Sequence, residues 1–295
     1  MANRKSDGQW VMHTYEAGEI GEKIKFFVHG GRTTEKITRR EKNEMKKGKQ
    51  NAYSATKTLA RLLNANFRKG GVLLGLDYSE NAWMDLYAYA KEQFTKGKGS
   101  DPDSELEQER LDAIWQAASH ALECCMRRVK RALKAEGIEL KWCAITSDMD
   151  GDTGEVVRVH HHLVINEEAV GAFQKKWENL GNVEFDSMWT NQKDRTPIAE
   201  YFIRQVRRIP DAKKYRSSRN LIRPQPVKRI CTEAEISVPK GCRLIHRSEY
   251  GPGQPQYIRY EIPERLIRDR EERIATAGAC IDFAMTLGEG GDPVE

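Results

Sequence analysis

Seven histidines occur in the 295-residue chain, and three stand side by side at His160, His161 and His162. They lie within Arg158-Val159-His160-His161-His162-Leu163-Val164-Ile165-Asn166, a run rich in β-branched and apolar residues. Read as a strand, the run sends alternate side chains to opposite faces. His160 and His162 then share one face, and His161 turns to the other beside Val159 and Leu163. Two imidazoles two residues apart on one face can grip one metal ion. Burying two such rings without partners costs ~1–3 kcal/mol each, which favours a metal role over a purely structural one. Mg2+ and Mn2+ also take oxygen ligands. The preceding loop offers Asp148, Asp150 and Asp152. Asp148, closest to the end of the neighbouring strand, is the first choice as third ligand. The loop's D-x-D-G-D lacks the longer acidic ladder of an EF-hand.

An ion that activates a phosphodiester needs a nucleophile near its open positions. Tyr201 stands on an amphipathic segment, with Arg204 three residues later on the same helical face. A phenol beside a cation can attack phosphorus, and the cation stabilises both the phenolate and the charge that builds on the phosphate oxygens. A lone Y-x-x-R more often marks a half-buried tyrosine with a surface arginine. Here the order of features separates the two readings: a histidine pair, then a tyrosine helix, then a dense basic stretch. From Arg204 to Arg229 there are ten Lys or Arg and one acid, Asp211. From Arg32 to Lys49 there are eight against three acids. Such clusters make a footprint for a polyanion such as nucleic acid, although a charge run by itself more often marks a solvated face. Arg207, Arg208, Lys213, Lys214, Arg216, Arg219 and Arg223 are the candidate DNA contacts.

The elements that must position these groups are legible from periodicity. Residues 1–50 read as a basic, loosely structured extension with a short strand at 25–28. A helix follows over Ser54 to Phe67, with Leu59, Leu62, Leu63 and Phe67 at helical spacing. Val72 to Tyr78 reads as a buried strand. Ser79 is placed to cap the next helix. Ser104-Glu105-Leu106-Glu107 has the form of a capping box ahead of a long helix to about Lys134. Lys141 to Ser147 and Glu155 to Asn166 form a hairpin around the acidic loop. A helix over 167–180, a strand over 183–190 and a helix from Pro197 to Arg208 complete the order β-α-α-β-β-α-β-α. Beyond it come a β-rich stretch over 225–262, a short charged helix near 264–276 and a Gly-rich acidic tail. The class is α+β, a mainly antiparallel sheet with helices largely on one side.

In this order the motifs resemble those of the HUH endonuclease superfamily. The likeness is to single-tyrosine replication initiators of bacterial plasmids, phages and integrative elements. Leu62-Leu63-Asn64-Ala65-Asn66-Phe67 with the strand Val72 to Tyr78 is similar to the first motif. His160-His161-His162 is similar to the second, and Tyr201 to Arg204 to the third. Lys214 to Pro224 resembles the S-R-N-L-x-x-P segment that follows them. Arg204 stands where the family usually has lysine, which excludes any role needing a neutral amine. The resemblance covers about 50–225 and implies a ferredoxin-like core between N- and C-terminal extensions (1–50 and 226–295). It also implies a metal-dependent nickase and strand transferase acting on single-stranded origin DNA. Tyr201 would form a 5′-phosphotyrosine bond and free a 3′-OH that primes rolling-circle replication. His160, His162 and an acid would hold Mg2+ or Mn2+.

Bulk properties narrow the classes further. Charged residues make up 32% and mean hydropathy is -0.72. No apolar run approaches the ~18 residues of a membrane span. The first residues lack the apolar segment of a signal peptide. The six cysteines are scattered, which suits reduced thiols in a cytosol, and the resemblance implies a bacterial one. No GxxxxGK[ST] is present, so unwinding would fall to a host helicase. Two other classes compete. A tyrosine recombinase wants H-x-x-R shortly before a C-terminal tyrosine, and the H-x-x-R here, His29 to Arg32, lies far upstream. A non-catalytic DNA-binding protein would use the sheet and basic segment with a structural metal or none.

Overall fold

The computed structural model describes residues 8–29, 41–68, 70–187, 192–206, 213–232, 236–248, 254–269 and 272. In chain order the elements are β1 (Gly8–Ala17), β2 (Ile20–His29), α1 (Glu41–Asn66), β3 (Gly71–Leu76), α2 (Glu80–Thr95) and α3 (Glu107–Ala135). Next come β4 (Trp142–Met149), β5 (Val156–Asn166), α4 (Val170–Trp177), β6 (Val183–Ser187), α5 (Thr196–Gln205) and β7 (Arg216–Ser217). The last are β8 (Val227–Cys231), β9 (Arg243–Arg247) and β10 (Gln256–Glu261). The fold is α+β, with two antiparallel five-stranded sheets. Two compact units divide the chain: Thr33–Pro224, and Met1–Arg32 with Gln225–Glu295.

The unit Thr33–Pro224 holds the sheet β6-β3-β5-β4-β7. Its segments run β3, α2 and α3, β4, β5, α4, β6, in the order expected from periodicity. The first four strands lie in the order fourth-first-third-second, the ferredoxin-like split β-α-β arrangement. Strand alternation sorts the two faces. Leu74, Leu76, Ala144, Leu163 and Ile165 pack with Leu86, Ala118, Leu122, Val129, Phe173 and Trp177 of α2, α3 and α4. Cys143, Ile145 and Val164 pack on the other face with Leu59, Leu63, Phe202 and Ile203 of α1 and α5. Each fully buried aliphatic side chain contributes roughly 1.5–3 kcal/mol, so the sheet is held from both sides. The helices after β3 and β5 thus share one face, and α1 with α5 covers the other.

Local signals hold unevenly. The Ser79 side chain accepts from the Ala82 amide and caps α2. The capping box at Ser104 does not form: α3 begins at Glu107 behind Leu106, which makes no side-chain cap. Ser104 Oγ instead accepts from the Leu106 amide at 3.2 Å and donates to Glu109 at 2.7 Å. The helix start is displaced because a turn there satisfies Ser104 first.

The other unit corrects the reading of residues 1–50 as loosely structured. Over 8–29 they form a hairpin, β1 paired with β2 from Ala17↔Ile20 to Gly8↔His29. This hairpin sits inside the sheet β8-β1-β2-β10-β9. Ile236, Ile258, Tyr260, Ile262 and Ile267 form its core, with Met12 packed against them. The outer partners of the hairpin come some two hundred residues later, so the pattern of 8–29 taken alone is weak.

Several expected features fall outside the described residues. These are Arg32 to Arg40 of the first basic cluster, the strand end at 188–190, Arg207, Arg208 and the tail beyond 272. Side chains of 41–50 are likewise not described. Cys124, Cys125, Cys143, Cys231 and Cys242 are free thiols. Among the described residues no helix is long and apolar enough to cross a membrane.

Candidate active site

β5 is a central strand, bonded to β3 on one side and β4 on the other. Its alternation places the three histidines as the sequence reading expects. His161 faces α3 and α4, fully buried, with His161 Nε2 2.7 Å from the Tyr78 hydroxyl and Nδ1 3.0 Å from Thr146 Oγ1. Trp177 sits edge-on to its ring at 5.7 Å. Burial pushes its pKa down to about 3, so this imidazole is neutral and serves the packing of the strand.

His160 and His162 face α5. Their rings meet edge-to-face, 4.9 Å between centroids. Burial pushes His162 down to about 4, the nearby His160 adds to this, and a hydrogen bond to Gln205 pulls the other way. A neutral imidazole keeps a lone pair for a metal. His160 Nδ1 lies 3.0 Å from the Arg158 carbonyl, which can only accept. Its Nε2 lies 3.2 Å from Gln205 Oε1.

α5 brings two side chains to this pair. Tyr201 and Gln205 lie one turn apart on the same helix face. The Tyr201 ring is 5.3 Å from His162. Gln205 is buried, and its backbone carbonyl accepts from Ser147 Oγ at 2.6 Å, which ties the helix end to β4. A Cβ at Gly151 would meet Gln205 Nε2 at 2.8 Å, so the tip of the β4–β5 hairpin closes over the same amide. Gln205 is a site residue that the sequence reading missed. The sequence offers only its spacing, four residues after Tyr201 on a helix.

The donor set fits a divalent ion. Two imidazole rings and the Gln205 amide converge, and imidazole nitrogen with amide oxygen is a donor set a divalent ion takes. The amide of Gln205, turned over, would instead donate to His160. Asp148 is buried at the point where the β4–β5 register slips, between Ser147 and Met149. No group of three His, Cys, Asp or Glu suited to a metal forms among the described residues, so Asp148 is not brought together with both histidines. Asp150 accepts from the amides of Asp152 and Thr153, at 2.8 and 2.7 Å. Those bonds lower its pKa and commit it to shaping the turn.

Further residues hold α5 in place. Asn64 Oδ1 accepts from the Arg195 amide at 2.7 Å. Asp194 Oδ1 accepts from the amide and hydroxyl of Thr196, at 3.0 and 2.6 Å, in the first turn of α5. Asn66 Oδ1 accepts from the Ile222 amide, and its Nδ2 donates to the Ile222 carbonyl, both at 2.8 Å. The Leu62 to Phe67 segment therefore clamps both the start of α5 and the segment after β7.

The basic candidates separate. Arg216 is paired with Glu123 at 2.6 Å, and Arg223 donates to Ser217 Oγ and the Ser218 carbonyl. Both help pin β7 to the sheet. Lys213 and Arg219 are exposed. Arg204 is exposed and lines a groove together with Lys214.

Comparison with protein-family models, with curated proteins and with solved structures found no match.

Proposed function

We propose that this protein is a metal-dependent, site-specific single-stranded DNA nickase and strand transferase that initiates rolling-circle replication. The observation that carries the reading is the Tyr201 ring of α5 against His162, whose own ring packs on His160. A bound Mg2+ or Mn2+ would polarise the scissile phosphate and neutralise its charge. His160 and His162 would hold it, with the Gln205 oxygen as the nearest third donor and Asp148 the acid closest along β4. Tyr201 Oη bonds to phosphorus as the bond to the 3′ oxygen breaks. The phenolic proton passes to solvent, and the 3′ oxygen leaves with the electrons of its bond to phosphorus and takes a proton from solvent to become a free 3′-OH. The product is a 5′-phosphotyrosine, which a second 3′-OH reverses to join strands. Arg204 supplies positive charge one turn from the phenol. Lys213, Lys214 and Arg219, with Arg207 and Arg208, would hold the backbone of the DNA.

The test is incubation with origin-type single-stranded DNA and Mn2+, followed by a denaturing gel. A covalent adduct that is lost in Tyr201→Phe and on chelation supports the reading. Binding with no adduct, on DNA carrying the nick site, overturns it in favour of a non-catalytic DNA-binding protein.

A further inference from the structure

An open groove of about 480 Å³ runs beside α1 and α5. Tyr53 and Thr56 of α1 line it, with Glu200 and Arg204 of α5 and Lys214 from the segment that follows. Tyr53 is 59% exposed, and the Lys57 ammonium sits 5.4 Å from its ring centroid. Among the described residues that line it, Glu200 is the single acid. An accessible ring among cations suits a ligand with both flat faces and negative charge.

We propose that this groove is a track for unpaired nucleic acid, in which Tyr53 stacks one base and Lys57, Arg204 and Lys214 hold the flanking phosphates. The occupant is a single strand because a base must leave its partner to lie on the ring. A duplex offers its backbone and groove edges instead. Arg204, which lines the groove, stands three residues after Tyr201 on α5. The proposal rests on the nickase reading for taking DNA as the substrate. Binding in the groove itself requires neither the phenol nor a metal.

The experiment is fluorescence anisotropy of a labelled oligothymidylate with the full chain, in EDTA and in a Tyr201→Phe background. Tyr53→Ala is expected to weaken binding about 5- to 150-fold, the range spanned by one base–aromatic stack. Tyr53→Phe keeps the ring and stays within about twofold of the parent. Lys57→Ala combined with Lys214→Ala lowers the salt dependence of log K by about 1–2, as two lost phosphate contacts would. The exposure of Tyr53 leaves the core untouched in these variants, and circular dichroism confirms their fold. Unchanged affinity in Tyr53→Ala, an equal loss in Tyr53→Phe, or an equal loss on a blunt duplex overturns the track. A Tyr53 effect in a protein that never forms an adduct supports the groove and removes the nickase reading. An adduct with no Tyr53 effect does the reverse.

Discussion

His160, His161 and His162 differ in what lies opposite each ring. His161 meets Tyr78, Thr146 and Trp177 in the core, while the other two meet a helix that carries a phenol and an amide. The division between faces was legible in the sequence, because a strand alternates whatever its surroundings. The approach of Gln205 to His160 was not. Gln205 belongs to no metal-ligand pattern, and its approach depends on the angle at which α5 crosses the strand. We expect Gln205→Ala to raise the Mn2+ needed for half-maximal adduct by about 10–100-fold while leaving the fold intact, measured by metal titration. An unchanged requirement would assign the amide a packing role only. The buried rings also set a pH response. His161 and His162 titrate near 3 and 4 when folded against an ordinary 6.5, so the unfolded chain takes up protons first as pH falls. Stability is full above about pH 6.5 and declines as pH drops toward 4. Urea midpoints measured from pH 7 to 4.5 should therefore fall; a flat profile contradicts the neutral, buried state of these rings.

At the scale of elements, periodicity identified β3 to α5 because each buries a continuous face against a near neighbour. The hairpin β1–β2 escaped it, since polar residues alternate weakly there and its outer partners lie at the far end of the chain. The clamp made by Asn64 and Asn66 was visible as a motif but not as a mechanism. Both side chains bond backbone groups of segments more than a hundred residues away. Removing the Asn64 carbonyl leaves the buried Arg195 amide without its acceptor, a loss of about 1–3 kcal/mol. Asn64→Ala should lower the denaturant midpoint accordingly and slow adduct formation by loosening the start of α5. Stability loss with an unaltered rate would limit Asn64 to holding the fold. Gly151 offers a finer probe of the same assembly. The added methyl of Gly151→Ala pushes on the Gln205 side chain, so metal affinity should weaken with little change in melting temperature.

For the whole molecule, one compact unit ends at Pro224 and the other resumes at Gln225. The joining of the first thirty residues to that part was not legible, because strand pairing across such a separation leaves no local signal. Thr33–Pro224 contains the site, the groove and both cores of its sheet. Expressed as a fragment, it should melt cooperatively and form the Tyr201 adduct; a fragment that folds but forms none would assign part of the site to the other unit. On the proposed function, Tyr201 and the histidine pair make one reaction centre. Mass spectrometry of the protein, after incubation with single-stranded origin DNA and Mn2+ and digestion with nuclease and trypsin, tests it most directly. The expected product is a nucleotide joined through its 5′ phosphate to Tyr201, absent with chelator and in His162→Ala. A DNA adduct on another residue, or none on a substrate that the protein binds, contradicts it.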